Sequence, residues 1–268
     1  MNRRPKKSIP TALIIRSVLQ LAVITVAIRT ATQKLWESFF VCILAFILFL
    51  APSFIEKKFR ITLPTGLEIT IFLFIFAAEI LGEIECYYMK YSFWDTMLHT
   101  VNGFVFSAFG FSLVDLLCQN KRMKFRLSPA FLTFTAFCFS MTIGTLWEFF
   151  EFGMDHLFAL DMQKDTIIYQ FRSVALNGKN GNLPIAVTDI TQSILYTADG
   201  NLFVIDGYLD IGLTDTIKDL FVNFIGAAVF SVPGWFYVKR RGNNAIAAAF
   251  IPTIREESSG IPKPHSTP

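Results

Sequence analysis

Long runs of hydrophobic residues, each about the length of a membrane-spanning helix, alternate with short polar segments along the chain. A spanning α-helix needs about 20 mostly apolar residues, because the hydrocarbon core is about 30 Å thick and the helix rises 1.5 Å per residue. Runs of this length occupy six windows, namely 11–28, 36–55, 66–85, 96–117, 129–151 and 215–238. The pattern therefore predicts an all-α membrane protein built as a six-helix transmembrane bundle.

The one long connection, between the fifth and sixth windows, has a different pattern. Short β-branched or aromatic runs occur at Thr166–Phe171, Ile185–Thr191, Ile194–Thr197 and Leu202–Ile205. Dipeptides that favour tight turns separate them, and these are Asn177-Gly178, Asn180-Gly181, Asp199-Gly200 and Asp206-Gly207. This alternation predicts a small β-containing insertion. After it, Thr214 and Asp215 have the residue types expected for the cap and first-turn acid of the sixth helix.

These patterns divide the chain into four segments. The first five helices occupy 1–152, a β-rich cap occupies 153–214, and the sixth helix occupies 215–241. The remaining residues, 242–268, are rich in Ser, Gly and Pro near their middle and are expected to form a flexible tail.

The composition agrees with a membrane protein and excludes several other classes. Hydrophobic residues make up 53% of the chain and charged residues 17%, which is too apolar for a disordered chain or an ordinary soluble domain. The net charge is only +3, and the basic residues are segregated between the apolar runs, so no nucleic-acid partner is expected. The surrounding lipids are the predicted partners.

The distribution of Lys and Arg predicts the orientation in the membrane. Basic residues cluster at the N-terminus, in every second connection and after the last helix, and they are Arg3, Arg4, Lys6, Lys7, Lys57, Lys58, Arg60, Lys121, Arg122, Lys124, Arg126, Lys239, Arg240 and Arg241. The short connections on the other side contain only Arg29, Lys34 and Lys90. By the positive-inside rule, both termini are cytoplasmic and the β-rich cap is extracytoplasmic.

Polar residues recur at helical spacing on three of the predicted helices. Members of each set are three or four residues apart and so share one face, close to the predicted outer surface. The sets are Asp95, His99 and Asn102; Glu148, Glu151 and Asp155; and Asp215, Asp219 and Asn223. His99 and Glu148 are about one turn inside the predicted membrane boundary, where an ionisable residue indicates function. Acids at the very ends of helices, such as Asp155 and Asp215, are more simply explained as interfacial.

The chemistry of these sets suits a cation. A charged side chain at the centre of a spanning helix costs about 2.5–3.5 kcal/mol, so several carboxylates must be paired, protonated, hydrated or bound to a cation. Carboxylate and amide oxygens with one imidazole suit Mg²⁺, Mn²⁺ or Ca²⁺, and the His also admits Zn²⁺. The predicted metal ligands are Asp95, His99, Glu148, Glu151, Asp219 and Asn223.

Other notable residues have structural interpretations. Trp94, Trp147 and Trp235 are typical of the aromatic belts at membrane interfaces. Gly103, Ser107 and Gly110 lie at helical spacing and predict a helix-packing face. The four cysteines contain no CxxC spacing, so neither a zinc ribbon nor a disulfide framework is indicated.

The order of the polar motifs resembles a known family. Asp95-x-x-x-His99, Glu148-x-x-Glu151 and Asp215-x-x-x-Asp219-x-x-x-Asn223-x-x-Gly226 look like the YjdF-like bacterial inner-membrane proteins of unknown function, and more distantly like the VanZ-like membrane proteins linked to glycopeptide resistance. VanZ-like proteins usually have a basic residue after the first Asp and Gln in place of the second Glu, where this chain has Thr96 and Glu151. The resemblance implies a bacterial cytoplasmic membrane location and one functional set of polar residues.

Several functions remain compatible with this sequence. The polar set could bind a divalent cation or a phosphate-bearing lipid or envelope precursor, in a role in envelope homeostasis. Alternatives are a small cation- or proton-coupled transporter and a non-catalytic membrane scaffold. No GxSxG, HExxH or phosphate-binding glycine loop is present, so the sequence does not decide whether the protein is an enzyme, and it does not indicate an oligomeric state.

The orientation can be tested by cysteine labelling in intact cells. In a background in which Cys42, Cys86, Cys118 and Cys138 are replaced by Ser, a membrane-impermeant maleimide should label Asn180→Cys and should not label Met123→Cys. The expectation rests on fourteen Lys and Arg residues on the predicted cytoplasmic side against three in the short outer connections. Labelling of Met123→Cys alone would reverse the assignment.

Overall fold

A computed structural model of the chain describes residues 11–119, 127–178, 181–239 and 249–254. The basic clusters at 3–7, 121–126 and 240–241 lie outside the described residues, as do Asn180 and most of the predicted tail. The side chain of Cys118 is also not described.

The chain is mostly helical, as the apolar pattern predicts. The α-helices are α1 (Thr11–Thr32), α2 (Trp36–Leu48), α3 (Ala51–Phe59), α4 (Thr65–Ile75), α5 (Tyr87–Lys90), α6 (Trp94–Gln119), α7 (Pro129–Phe158) and α8 (Leu213–Lys239). Among the described residues, five helical stretches are long and apolar enough to span a membrane, namely Thr11–Thr32, Trp36–Phe59, Trp94–Asp115, Pro129–Phe158 and Leu213–Lys239. Five of the six predicted spans therefore correspond to such helices.

The remaining predicted span, 66–85, is helical but not a regular α-helix. α4 ends at Ile75, and the chain continues as a π-helix over Phe76–Ile84. A π-helix pairs each amide with the carbonyl five residues back and is rare in proteins. The indole of Trp94 donates a hydrogen bond to the carbonyl oxygen of Ala77, 3.3 Å away, inside this wide segment. The predicted count of six spanning helices is therefore not confirmed.

The chain divides into two compact units, which are described separately. The first unit comprises Met1–Thr142 and Val222–Pro268, and the second comprises Ile143–Phe221. In the first unit, one apolar cluster joins α1, α2, α4 and the π-helix around the fully buried Val23, Phe49 and Phe72. A second cluster joins α6, the first part of α7 and the last part of α8 around Phe111 and Phe230, whose rings pack edge to face.

Residues 249–254 belong to this first unit, although the sequence places them in a flexible tail. The strand β8 (Thr253–Ile254) pairs antiparallel with β1 (Ile61–Thr62), and the amide of Leu67 donates to the carbonyl oxygen of Ala249. Ile251 is only 2% exposed. Within the predicted tail, this segment thus contributes a buried Ile251 and a two-residue strand to the first unit.

α6 and α8 make a close backbone contact within the first unit. A Cβ atom at Gly103 would overlap the carbonyl oxygen of Asn223, and a Cβ atom at Gly226 would overlap the carbonyl oxygen of Thr100. Small residues allow this approach, which is how many membrane helices associate. The predicted packing face is confirmed, because Ser107 is fully buried and Gly110 lies against the ring of Phe139.

The second unit contains the β-rich cap. Its strands are β2 (Ile167–Ile168), β3 (Phe171–Ser173), β4 (Ile185–Val187), β5 (Ser193–Tyr196), β6 (Leu202–Ile205) and β7 (Tyr208–Leu209). They form three antiparallel pairs, β2 with β7, β3 with β4 and β5 with β6. Every predicted run contains strand residues. The turn at Asp199-Gly200 is also confirmed, since Gly200 has a φ of +87°.

The glycine contact gives a prediction for stability. Gly103→Ala and Gly226→Ala should each lower the thermal unfolding midpoint in detergent, because the new methyl group meets backbone atoms that cannot rotate away. Overpacking of this kind costs roughly 1–3 kcal/mol.

Gly153→Ala provides a matched control within α7. A Cβ atom at Gly153 would have no neighbour within 4 Å, and alanine has the higher helix propensity. This variant should be as stable as the wild-type protein or more so. Equal unfolding midpoints for all three variants would contradict the close contact between α6 and α8.

Candidate metal centre

The six predicted ligands are divided between the two units. Asp95, His99 and Asn223 belong to the first unit, and Glu148, Glu151 and Asp219 belong to the second. All six lie on α6, α7 or α8, as their spacing predicts.

In the first unit, Asp95 and His99 face each other along α6. They are four residues apart, and His99 Nε2 lies 3.5 Å from Asp95 Oδ1. His99 is buried, at 7% exposure, whereas a quarter of the Asp95 side chain is exposed. A carboxylate beside an imidazole orients the ring, a common arrangement for histidines that bind metals.

Asn223 connects three helices of the first unit. Its Oδ1 accepts a hydrogen bond from Asn102 Nδ2 on α6 (3.2 Å), and its own Nδ2 donates to the carbonyl oxygen of Ser140 on α7 (3.4 Å). Ser140 Oγ in turn donates to the carbonyl oxygen of Gly103 (2.7 Å). Asn223 is fully buried, so these bonds give it a structural role in addition to the predicted ligand role.

Sequence reasoning did not identify Ser140 as part of this group. A single serine in an apolar helix is a weak signal, because its hydroxyl usually bonds to the carbonyl four residues back. Here the hydroxyl bonds to a different helix, at the position where Gly103 brings the backbones together.

In the second unit, three carboxylates are buried on spanning helices. Glu148 is 3% exposed, Glu151 is 8% exposed and Asp219 is 1% exposed. The indole Nε1 of Trp147 donates a hydrogen bond to Glu151 Oε1 at 2.9 Å. Trp147 is therefore more than a residue of the interfacial belt, and its four-residue distance from Glu151 is the signal that could have revealed the pair.

The acids at the helix ends have structural partners instead. Asp155 accepts hydrogen bonds from the backbone amides of Met162 and Gln163, and Asp215 accepts one from the amide of Lys164. Asp215 also lies 3.9 Å from the ammonium group of Lys218. These contacts hold the loop after α7 against the beginning of α8. Asp155 and Asp215 therefore have structural roles at the helix ends.

Asp210 caps the start of α8, where the sequence predicts Thr214 as the cap. The helix begins at Leu213, so Thr214 lies within its first turn, and the amide of Thr214 donates to Asp210 Oδ2 at 2.9 Å. Asp210 Oδ1 accepts a second bond from the amide of Thr166. The prediction is wrong because Gly207 and Gly212, both at positive φ, turn the chain so that the Asp210 carboxylate reaches the first helical turn.

The hydrogen bonds to Asp210 affect its ionisation. Partial burial tends to raise the pKa of this carboxyl, but the bonds from the Thr214 hydroxyl and from the amides of Thr166, Thr214 and Gly212 outweigh burial and lower the pKa below its usual value.

The pKa of the Asp165 carboxyl shifts in the opposite direction. Burial, followed by the nearby charges of Asp161, Asp210 and Asp155, raises the pKa of its carboxyl.

Comparison with known proteins gives the family. The sequence model of a family described as "Predicted membrane protein (DUF2238)" matches residues 11–240, and the chain belongs to this family. The chain is thus a multi-helix membrane protein from a family without an assigned function. This agrees with the YjdF-like resemblance and gives no support to the more distant VanZ-like resemblance.

The sequence is also similar to an uncharacterised protein of Thermotoga maritima. The two are 26% identical over 107 residues, which is 40% of this chain and 53% of the relative, so the chain spans about half the length of that protein. No solved structure matches.

The role of Asp210 gives a prediction for pH dependence. Asp210→Asn should destabilise the protein by roughly 1–2 kcal/mol at pH 7, because the charged acceptor of two amide bonds is lost. Since the pKa of the folded state is lowered, the stabilisation is present above the unfolded pKa of about 3.9 and is lost as the pH falls further. The difference in thermal midpoint between wild type and variant should therefore shrink between pH 5 and pH 3.

Asp206→Asn is the control for this experiment, because Asp206 is an exposed neighbouring acid. It should leave the midpoint unchanged at every pH. If Asp210→Asn behaved in the same way, the capping role of Asp210 would be wrong.

Proposed function

We propose that the polar residues of α6, α7 and α8 bind a divalent cation near the outer surface of a bacterial cytoplasmic membrane. The cation would engage a phosphate-bearing lipid head group or envelope precursor, as part of envelope homeostasis. The proposed ligands are Asp95, His99, Glu148, Glu151, Asp219 and Asn223.

The burial of three carboxylates on apolar helices is the observation that carries this proposal. Glu148, Glu151 and Asp219 are each at most 8% exposed. Because charge is costly in an apolar environment, a cation bound at these carboxylates would stabilise their ionised form. The imidazole of His99 supplies at most one positive charge, and a divalent cation would supply two.

Hydrogen bonds within the first unit fix the register of the three helices next to the proposed ligands. The bonds among Asn102, Ser140 and Asn223 fix one level at which α6, α7 and α8 meet. From that level, His99 and Asp219 lie about one turn nearer the beginnings of their helices, whereas Glu148 lies about two turns nearer the end of its helix.

The donor atoms define the class of cation. Carboxylate oxygens dominate, which favours Mg²⁺, Mn²⁺ or Ca²⁺ over soft metals, and one imidazole nitrogen also fits Zn²⁺. Ca²⁺ takes about six to eight ligands and would keep open positions for phosphate oxygens beside the six proposed ligands, whereas octahedral Mg²⁺ would do so only when part of the set binds it. The chain itself supplies the anionic ligands, so a phosphate group would approach through the metal and not directly through the carboxylates.

The proposal can be tested by thermal unfolding of the purified protein in detergent. Chelation with EDTA should lower the midpoint of the wild-type protein, and adding back Mg²⁺, Mn²⁺, Ca²⁺ or Zn²⁺ one at a time should restore it, because a ligand that binds only the folded state stabilises it. Glu148→Gln and Asp219→Asn should remain folded and should respond to EDTA and metal with less than half of the wild-type shift. The metal-free midpoint of each variant is measured in the same series, so that a change in stability is separated from a change in the response to metal.

Asp161→Asn is a suitable control, because the side chain of Asp161 is 69% exposed. It should retain the full response to EDTA and to metal. If the wild-type midpoint did not depend on any of the four cations, or if Glu148→Gln responded as strongly as the wild type, the proposed cation site would be wrong.

A further inference from the structure

An apolar groove runs along the outside of the first unit between α7 and α8. It has a volume of about 400 Å³ and is lined by Thr133, Phe134 and Phe137 on α7 and by Ala228, Ser231 and Trp235 on α8. Both helices are long and apolar enough to span a membrane, and in that case the open side of the groove would face lipid. The groove lies where the last turns of α8 run beside the first turns of α7.

The walls of the groove are apolar even where hydroxyl groups line it. Thr133 Oγ1 donates to the carbonyl oxygen of Pro129 (2.7 Å), and Ser231 Oγ donates to the carbonyl oxygen of Ala227 (2.9 Å). Both hydroxyls therefore donate their protons within their own helices, which leaves only their acceptor capacity to the groove. At one end, Phe137 packs edge to face against Phe224 at 5.1 Å.

The opposite end of the groove carries a positive charge. Trp235 lines the groove there, and the Lys239 ammonium lies 4.5 Å from the centroid of its indole ring. Lys239 is the last residue of α8, so the charge lies at the membrane boundary, where lipid head groups are found. The groove spans about two helical turns from Ala130 to Phe137, or roughly 10 Å, which suits part of one extended acyl chain.

We propose that this groove binds an anionic phospholipid, with one acyl chain between α7 and α8 and the phosphate beside Lys239. The mostly apolar walls favour an acyl chain, and the Lys239 ammonium beside Trp235 favours a head group with net negative charge. The basic residues near this end of α8 place it in the cytoplasmic leaflet under the predicted orientation. The site is independent of the proposed cation centre and uses none of its residues.

The test uses the full-length protein in detergent, with dioleoylphosphatidylglycerol as the anionic probe and dioleoylphosphatidylcholine as the neutral one. Native mass spectrometry should detect one phosphatidylglycerol bound more tightly than phosphatidylcholine. Lys239→Gln should weaken phosphatidylglycerol binding by about fivefold and should leave phosphatidylcholine binding unchanged, since one basic residue near an anionic head group contributes about that factor.

A matched pair of threonines tests the groove itself. Thr133 and Thr135 both donate to the carbonyl four residues back on α7, but only Thr133 is among the groove-lining residues. Thr133→Leu should fill the groove and abolish the preference for phosphatidylglycerol, whereas Thr135→Leu should retain it. Analytical ultracentrifugation of the same samples reports whether a second copy covers the groove.

Three results would overturn the proposal. These are equal affinity for the two lipids in the wild-type protein, retention of the preference in Thr133→Leu, and a dimer that dissociates in Thr133→Leu but not in Thr135→Leu. The last result would assign the groove to contact between two copies. Thermal unfolding of each variant without added lipid confirms that it is folded, so loss of binding is not confused with loss of structure.

Discussion

The close backbone contact between α6 and α8 is the constraint on which the arrangement of the first unit depends. Within lipid, helices gain little from hydrophobic burial against one another, so association depends on close packing and on hydrogen bonds between helices. Gly103 and Gly226 permit the packing, and Asn223 supplies the bonds to Asn102 and Ser140. A hydrogen bond from a buried amide side chain between membrane helices contributes about 0.6–2 kcal/mol to their association. The amide of Asn223 also fixes the register of the helices, because only one alignment gives partners to both its oxygen and its nitrogen.

Two groups of acidic residues follow different physical rules in the second unit. Asp155, Asp210 and Asp215 accept hydrogen bonds from backbone amides and so hold the loop after α7 to the start of α8. These fixed donors stabilise the negative charge of the carboxylates. Glu148 and Asp219 lie within apolar helices and are almost inaccessible to solvent. The first group explains how a long insertion is attached to two helices. The second group carries the functional interpretation. A buried charge is costly, and an ionisable residue within a spanning helix therefore indicates binding of a ligand or transfer of a proton.

Much of the fold could be predicted from the sequence, because apolar runs and turn dipeptides are local signals. The helices α1, α6, α7 and α8 and the hairpin of β5 and β6 follow such signals. The π-helix at Phe76 could not be predicted, because its apolar residues fit an α-helix equally well. The burial of Ile251 depends on a non-local partner, β1, and the cap at Asp210 depends on the turns at Gly207 and Gly212. The candidate ligands were predicted from helical spacing alone, but Ser140 required contact between helices.

Hydrogen bonds join α6, α7 and α8 at Asn102, Ser140 and Asn223, and this level divides α7 and α8 into two parts with different chemistry. Toward Pro129 and Lys239, the facing residues include Ala228 and Thr133, whose small volume leaves a groove open to lipid. In the other direction, α8 has Asp219 one turn from Asn223, and α7 has Glu148 two turns from Met141. Because Gly226 fixes the approach of α8 to α6, a change at this level would alter the packing of the first unit. Substitutions at Thr133 or at Glu148 lie away from this level, so they test the chemistry of each region without changing that contact.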